Sequence, residues 1–159
     1  NLSAGGNGDD LRERRRIDFE ITETALVTDF ERARKAVLAL KSIGASISLD
    51  DFGTGYSSLN YVHRLPLDRI KIDGGFVREM ETSPLARDVV RTMISMARNL
   101  NFDCVIEGVE TEEQLALLKT FGCSIAQGYL FSRPLPADQV APFIAARRGI
   151  DLPLERKIA

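Results

Sequence analysis

The sequence predicts an α/β domain built on a parallel sheet. Three observations lead there. Short β-branched runs alternate with amphipathic helical stretches along the chain. Most of those helices carry their own start and stop residues. Polar or charged residues recur at the C-terminal ends of the strand-like runs, the edge where parallel α/β domains build their sites.

The elements follow in order. Ile17 to Thr22 reads as the first strand. A helix follows, with Thr28 and Glu31 in a capping-box pattern and an apolar stripe of Phe30, Ala33, Val37 and Leu40. Gly44 stops it. Ser46 to Asp50 is the second strand. The loop Asp51 to Gly55 leads into a short helix through Leu65, and Arg69 to Ile72 is the third strand. Ser83-Pro84 starts a helix whose buried face is Ala86, Val89, Val90, Met93, Ala97 and Leu100. Asp103 to Glu107 is the fourth strand. Thr111 and Gln114 cap a helix that runs to Phe121 and stops at Gly122. Ser124 to Gln127 is the fifth strand, and Pro136 to about Arg147 the last helix. The residues alone leave two architectures open, a doubly wound sheet and a (β/α)8 barrel. A full barrel takes about 250 residues and eight strands, so a barrel would be incomplete here.

Composition narrows the function. Hydrophobic residues make up 44% and charged residues 28% of 159, ordinary values for a globular domain. The net charge of -2 argues against DNA as a partner, since nucleic-acid binding needs a basic face. No apolar run is long enough to span a bilayer, and the opening residues carry no signal-peptide pattern, so a cytoplasmic domain is expected. Cys104 and Cys123 lie outside any CxxC pair and read as buried, reduced thiols. The single histidine, His63, has no nucleophile motif beside it, which disfavours a Ser-His-Asp or Cys-His mechanism and a His-based zinc site.

The acids point elsewhere. Glu20 and Glu23 flank the end of the first strand and Asp50-Asp51 ends the second. Lys71 lies in the third, Glu107 ends the fourth with Glu110 close behind, and Gln127 ends the fifth. Carboxylates converging on one pocket repel one another unless a cation neutralises them. Hard oxygen donors favour Mg²⁺ or Mn²⁺, and adjacent aspartates suit a two-metal site acting on phosphorus. Lys71 among acids reads either as a salt bridge or as a charge that holds a water or a developing phosphate charge. The loop Asp51 to Ser58 lacks the Walker spacing, so a P-loop ATPase is not expected.

Several ordered segments resemble one family. Asp50-Asp51-Phe52-Gly53-Thr54-Gly55-Tyr56-Ser57-Ser58-Leu59 is similar to the loop of EAL domains. Glu20-Ile21-Thr22-Glu23, Lys71-Ile72-Asp73, Glu107-Gly108-Val109-Glu110-Thr111 and Gln127-Gly128-Tyr129-Leu130-Phe131-Ser132-Arg133-Pro134-Leu135 resemble its other conserved segments. Asn1-Leu2-Ser3 resembles its N-L-S segment. The resemblance implies a TIM-like (β/α) barrel with its N-terminal strands missing or incomplete, which hydrolyses cyclic-di-GMP to linear pGpG with Mg²⁺ or Mn²⁺. It implies Asn1, Glu20 and Asp50 as ligands of one metal and Asp51 as a ligand of the second. It implies Lys71 and Glu107 as catalytic residues that position and activate the attacking water. Glu23 would anchor the Asp51–Ser58 loop, with Glu110, Gln127 and Pro134 supporting the site and substrate. A homodimer and further signalling domains in the same polypeptide are implied as well.

Two departures accompany the resemblance. The Glu-Ala-Leu tripeptide, whose glutamate is a metal ligand, is absent, and the family's early substrate-binding arginine with it. The stretch from Asn1 to Glu20 is also shorter than the family pattern by about one helix of 10–14 residues. The expected layout is therefore residues 1–16 as a remnant of the early barrel, 17–148 as the barrel portion and 149–159 as a tail. A barrel without its first strands exposes an edge, so these residues alone are expected to need the missing part or a partner for stability. The alternative function is a degenerate EAL domain that senses cyclic-di-GMP or a protein partner without cleavage. A sugar-phosphate enzyme on the same scaffold is a more remote third.

Overall fold

The computed structural model describes residues 17–55 and 59–147. The expected remnant 1–16, including Asn1, and the tail 149–159 lie outside the described residues, as do Tyr56, Ser57 and Ser58. The chain forms two compact units, the first ending at Lys71 and the second beginning at Ile72.

In the first unit, β1 (Asp18–Thr22) pairs in parallel with β2 (Ser46–Phe52), in the register Asp18↔Ser46, Glu20↔Ser48 and Thr22↔Asp50. β3 (Arg69–Ile72) lies on the other side of β2. This register puts Glu20 and Asp50 near the same edge of adjacent strands. Two helices connect β1 to β2. The first, α1 (Glu23–Thr28), is absent from the sequence-based expectation. It is too short for an amphipathic stripe to show, and Thr22 caps it by accepting from Ala25 N. The second, α2 (Phe30–Ser42), is capped by Asp29, which accepts from Arg32 N at 3.0 Å, rather than by Thr28. Thr28 closes α1 instead, donating to Thr24 O. An aspartate outcompetes the threonine because its carboxylate is the stronger acceptor and suits the positive end of the helix. The stripe of α2 buries Ala33 and Val37 over the sheet, where Ile47 and Leu49 are 1% and 0% exposed. The short helix before β3 is α3 (Leu59–Val62), which ends sooner than Leu65.

In the second unit, Ile72 at the end of β3 is followed by α4 (Gly74–Glu79), another short helix not anticipated from periodicity. Asp73 caps it through Gly75 N. α5 (Pro84–Asn99) starts as expected, with Ser83 as cap and Pro84 in its first turn. Its buried face is Ala86, Val90, Ile94 and Ala97; of the expected set, Val89 and Met93 are only part-buried, and Leu100 lies past the last helical residue and is 40% exposed. β4 (Asp103–Ile106) pairs in parallel with β5 (Ile125–Ala126), and Glu107 N donates to Ile72 O, which sets β4 beside the end of β3. α6 (Glu112–Thr120) carries the full capping box, with Thr111 and Gln114 bonding each other's backbone. α7 (Ala137–Arg147) follows β5 and contains Pro142. Val77, Val90, Ile94, Ile106, Val109 and Leu118 form the centre of this unit's core.

Cys104 and Cys123 are buried and free, as expected. Burial pushes their thiols up from an ordinary 9.0 to about 12 and about 11. No helix among the described residues is long and apolar enough to cross a membrane.

Candidate functional site

The first unit brings three of the expected site residues together. Glu20 near the end of β1, Asp50 in β2 and Lys71 in β3 meet on one side of the sheet. Lys71 Nζ lies 2.6 Å from Glu20 Oε1 and 3.0 Å from Asp50 Oδ1. The lysine is buried, whereas the Glu20 side chain is half exposed. The contact with Asp50 is short enough for an ion pair but too bent for a hydrogen bond. Asp50 Oδ1 is thus a buried oxygen with no hydrogen-bond donor among the described residues. One ammonium serves two carboxylates, which leaves this cluster a net negative charge in a partly dry setting.

Asp51 follows with φ of +54°, in the left-handed region that few non-glycine residues adopt. Thr54 closes the turn, donating both its N–H and its hydroxyl to Asp51 O at 3.2 and 2.8 Å. Strain of this kind costs about 1–3 kcal/mol and persists only where the surroundings hold it. Here the surroundings include Glu23, buried at the start of α1. Its Oε2 accepts from Gly53 N at 3.2 Å. Its Oε1 is buried with no donor among the described residues. A Cβ on Gly55 would sit 3.3 Å from that oxygen, so the loop passes directly over the carboxylate.

The second unit places Glu107 just beyond β4. Gln127 Nε2 donates to Glu107 Oε1 at 2.7 Å, and Gln127 N donates to Ile106 O at 2.8 Å. The backbone there is packed to contact. A Cβ on Gly108 would lie 2.9 Å from Gly74 Cα, and one on Gly128 would lie 2.2 Å from Val109 O. Glycine is required at both, because no side chain fits. Gln114 holds the turn beyond Glu107, accepting from Glu110 N at 2.7 Å and Thr111 N at 3.2 Å while donating to Glu81.

These residues border an open cleft of about 580 Å³. Glu107, Glu110, Gln127 and Pro134, all expected at the site, line it. So do Asp73, Arg78, Tyr129 and Arg133, to which the sequence reading gave no role. No sequence signal marks the last pair, because outside a helix a four-residue spacing does not bring two side chains together. Chemically, the two units offer acidic oxygen donors with one shared ammonium, and a cleft that mixes acids, amide and guanidinium groups.

Comparison with known proteins places this arrangement. The family model described as EAL domain matches residues 9–134. The curated protein named cyclic di-GMP phosphodiesterase NbdA, from Pseudomonas aeruginosa, is 43% identical over 132 residues. Those residues are 83% of this chain but 17% of NbdA, so the chain spans about a sixth of that relative's length. A solved structure named PaMucR phosphodiesterase, c-di-GMP complex, is 41% identical with a TM-score of 0.77, covering 80% of this chain and 52% of that one. BlrP1 of Klebsiella pneumoniae, solved as manganese/cy-diGMP and calcium/cy-diGMP complexes, is 38% identical with a TM-score of 0.70, covering 75% of this chain and 30% of that one. The α/β fold is thus that of solved EAL phosphodiesterases, as the sequence led one to expect. On the family match and the shared fold together, this chain belongs to the EAL domain family.

Proposed function

We propose that this chain is the greater part of a catalytic domain that hydrolyses cyclic-di-GMP to linear pGpG with Mg²⁺ or Mn²⁺. The observation that carries the reading is the meeting of Glu20, Asp50 and Lys71 at one side of the sheet. A structural salt bridge needs one acid per lysine, whereas a cation site needs surplus carboxylate. Asp50 Oδ1, buried without a hydrogen bond, is an oxygen suited to a metal ion. The donor set is all oxygen, which fits a hard divalent ion, and BlrP1 has been solved with manganese and with calcium.

In this reading Asn1, Glu20 and Asp50 hold one ion and Asp51 the other. Bound ions would neutralise the phosphodiester and make a water acidic enough to attack it. The chain's own groups then have separate tasks. Lys71 donates to the attacking water and offsets charge as it develops on phosphate oxygens. Glu107 takes the water's proton, and the amide of Gln127 fixes the carboxylate for that task, its Nε2 holding Oε1. Glu23 holds the loop after Asp51 by accepting from Gly53 N. Glu110 and Pro134 border the nucleotide in the cleft. We further propose that the domain, comprising residues 17–148 with 1–16 as part of the early barrel and 149–159 as a tail, works as a cytoplasmic homodimer beside other signalling domains.

The test is turnover by the full-length natural protein that carries this chain. With Mg²⁺ or Mn²⁺ and cyclic-di-GMP, pGpG is expected to accumulate, and chelation is expected to stop it. Binding of the nucleotide without any pGpG would overturn the reading in favour of a sensor.

A further inference from the structure

We propose that Arg133, laid over Tyr129, is the residue that selects guanine in the cleft. The inference rests on the proposed function above and names which part of the substrate this surface reads.

The cleft carries three acids, Asp73, Glu107 and Glu110, and two arginines, Arg78 and Arg133. With that many opposite charges in one hollow, ion pairing is the default expectation. Yet neither arginine forms an ion pair with any described residue. Arg133 is instead held by an aromatic face, its Cζ 4.5 Å from the centroid of the Tyr129 ring. A cation–π contact of this kind restrains the guanidinium while leaving its N–H edge free to donate. Arg78 has no such support. Tyr129 is 52% exposed and lines the same cleft, so the stacked pair is open to a ligand. Its backbone is fixed, since Gly128 O accepts from Phe131 N and Ser132 N, and Leu130 N donates to Val109 O. The pair is therefore mounted on a rigid turn.

The chemistry of the rim decides what such a fork reads. A restrained guanidinium pairs with a phosphate or with the two acceptors O6 and N7 of guanine. The carboxylates decide between them, because the guanine edge next to O6 carries N1–H and N2–H donors that a carboxylate such as Glu110 accepts, whereas a phosphate offers a carboxylate no donor. Adenine reverses the pattern, offering a donor at N6 where guanine has O6, and so faces a guanidinium with like polarity. Arg133 thus discriminates between the bases and the acids complete the match.

The experiment is a binding comparison on the full-length protein with cyclic-di-GMP and cyclic-di-AMP in Ca²⁺ buffer, the nucleotides being checked as intact afterwards. Arg133→Ala is expected to weaken cyclic-di-GMP by about 10–100-fold and to change cyclic-di-AMP by less than about threefold. Arg133→Lys keeps the charge but not the fork, and is expected to resemble Arg133→Ala. Equal losses for both nucleotides, or full rescue by lysine, would show a phosphate or general charge role and overturn the proposal. So would unchanged cyclic-di-GMP affinity in Arg133→Ala. Failure of the unmutated protein to bind cyclic-di-GMP would instead sink the proposed function itself.

Discussion

The two edges of the sheet in the first unit treat charge in opposite ways. At the amino edge, acids and bases are matched. Asp68 takes Lys41 at 2.8 Å and also accepts from Ile47 N, while Asp18 takes Arg69 at 2.6 Å and accepts from Ser48 Oγ. Each carboxylate there has a cation and a second donor, the arrangement that makes a partly buried charge tolerable. At the carboxyl edge, Glu20 and Asp50 share Lys71, and buried oxygens of Asp50 and Glu23 lack hydrogen-bond donors among the described residues. The first edge is built to close the fold. The second retains unspent acceptor capacity, which is what a site for a cation requires. The same strands supply both, so the difference lies in which residues end each strand rather than in the fold.

Substitutions that act on one edge alone sharpen this contrast. The largest expected effect is that of Asp50→Asn. Turnover of cyclic-di-GMP should fall by roughly 1,000-fold or more, above the 10–100-fold typical of residues behind the ligands. Melting temperature without metal should hold or rise, because one repelling charge is gone. Next is Asp68→Ala at the amino edge. It strands Lys41 and Ile47 N and should cost about 2–3 kcal/mol in urea unfolding, with KM for cyclic-di-GMP unchanged. A loss of activity in Asp68→Ala at full folding would erase the distinction between the edges.

Glu23→Gln comes third. It keeps the shape but weakens the bond from Gly53 N, so turnover should drop about tenfold while the unfolding midpoint moves little. A variant with normal turnover would remove the loop-anchor role. The smallest effect on turnover, none, belongs to the buried thiols of the second unit, which have no part in the site and act on stability alone. Their folded pKa values of about 12 and about 11 exceed the ordinary 9.0. The unfolded chain therefore releases these protons first as pH rises. Stability is whole below pH 9 and declines between about 9 and 12, by up to about 1.4 kcal/mol per pH unit per thiol. Cys104→Val with Cys123→Val should flatten that decline in denaturant titrations at pH 8 to 10.5.

How much of this was legible beforehand depends on the kind of signal. Long helices and strands announced themselves through period and punctuation, as with Ser83-Pro84 and the Thr111–Gln114 box. The short helices α1 and α4 did not, because six residues hold too few turns for a stripe. Asp29 was hidden by Thr28, since two adjacent capping residues compete and the three-dimensional path of the chain chooses between them. At the site, the acids at strand ends could be named from the sequence, because parallel strands deliver their carboxyl ends to one edge. The sharing of Lys71 by Glu20 and Asp50 could not, as it depends on the register Glu20↔Ser48 and Thr22↔Asp50. Arg133 and Tyr129 escaped for a related reason. Their four-residue spacing gains meaning only once the turn at Gly128 stacks one over the other.

The most direct test of the surplus-carboxylate account is a Mn²⁺ titration of the full-length protein, read as melting temperature without nucleotide. The account predicts a saturable rise that disappears in Asp50→Asn and in Glu20→Gln but survives in Asp68→Asn. No rise in the unmutated protein, or one of equal size in all three variants, would contradict it.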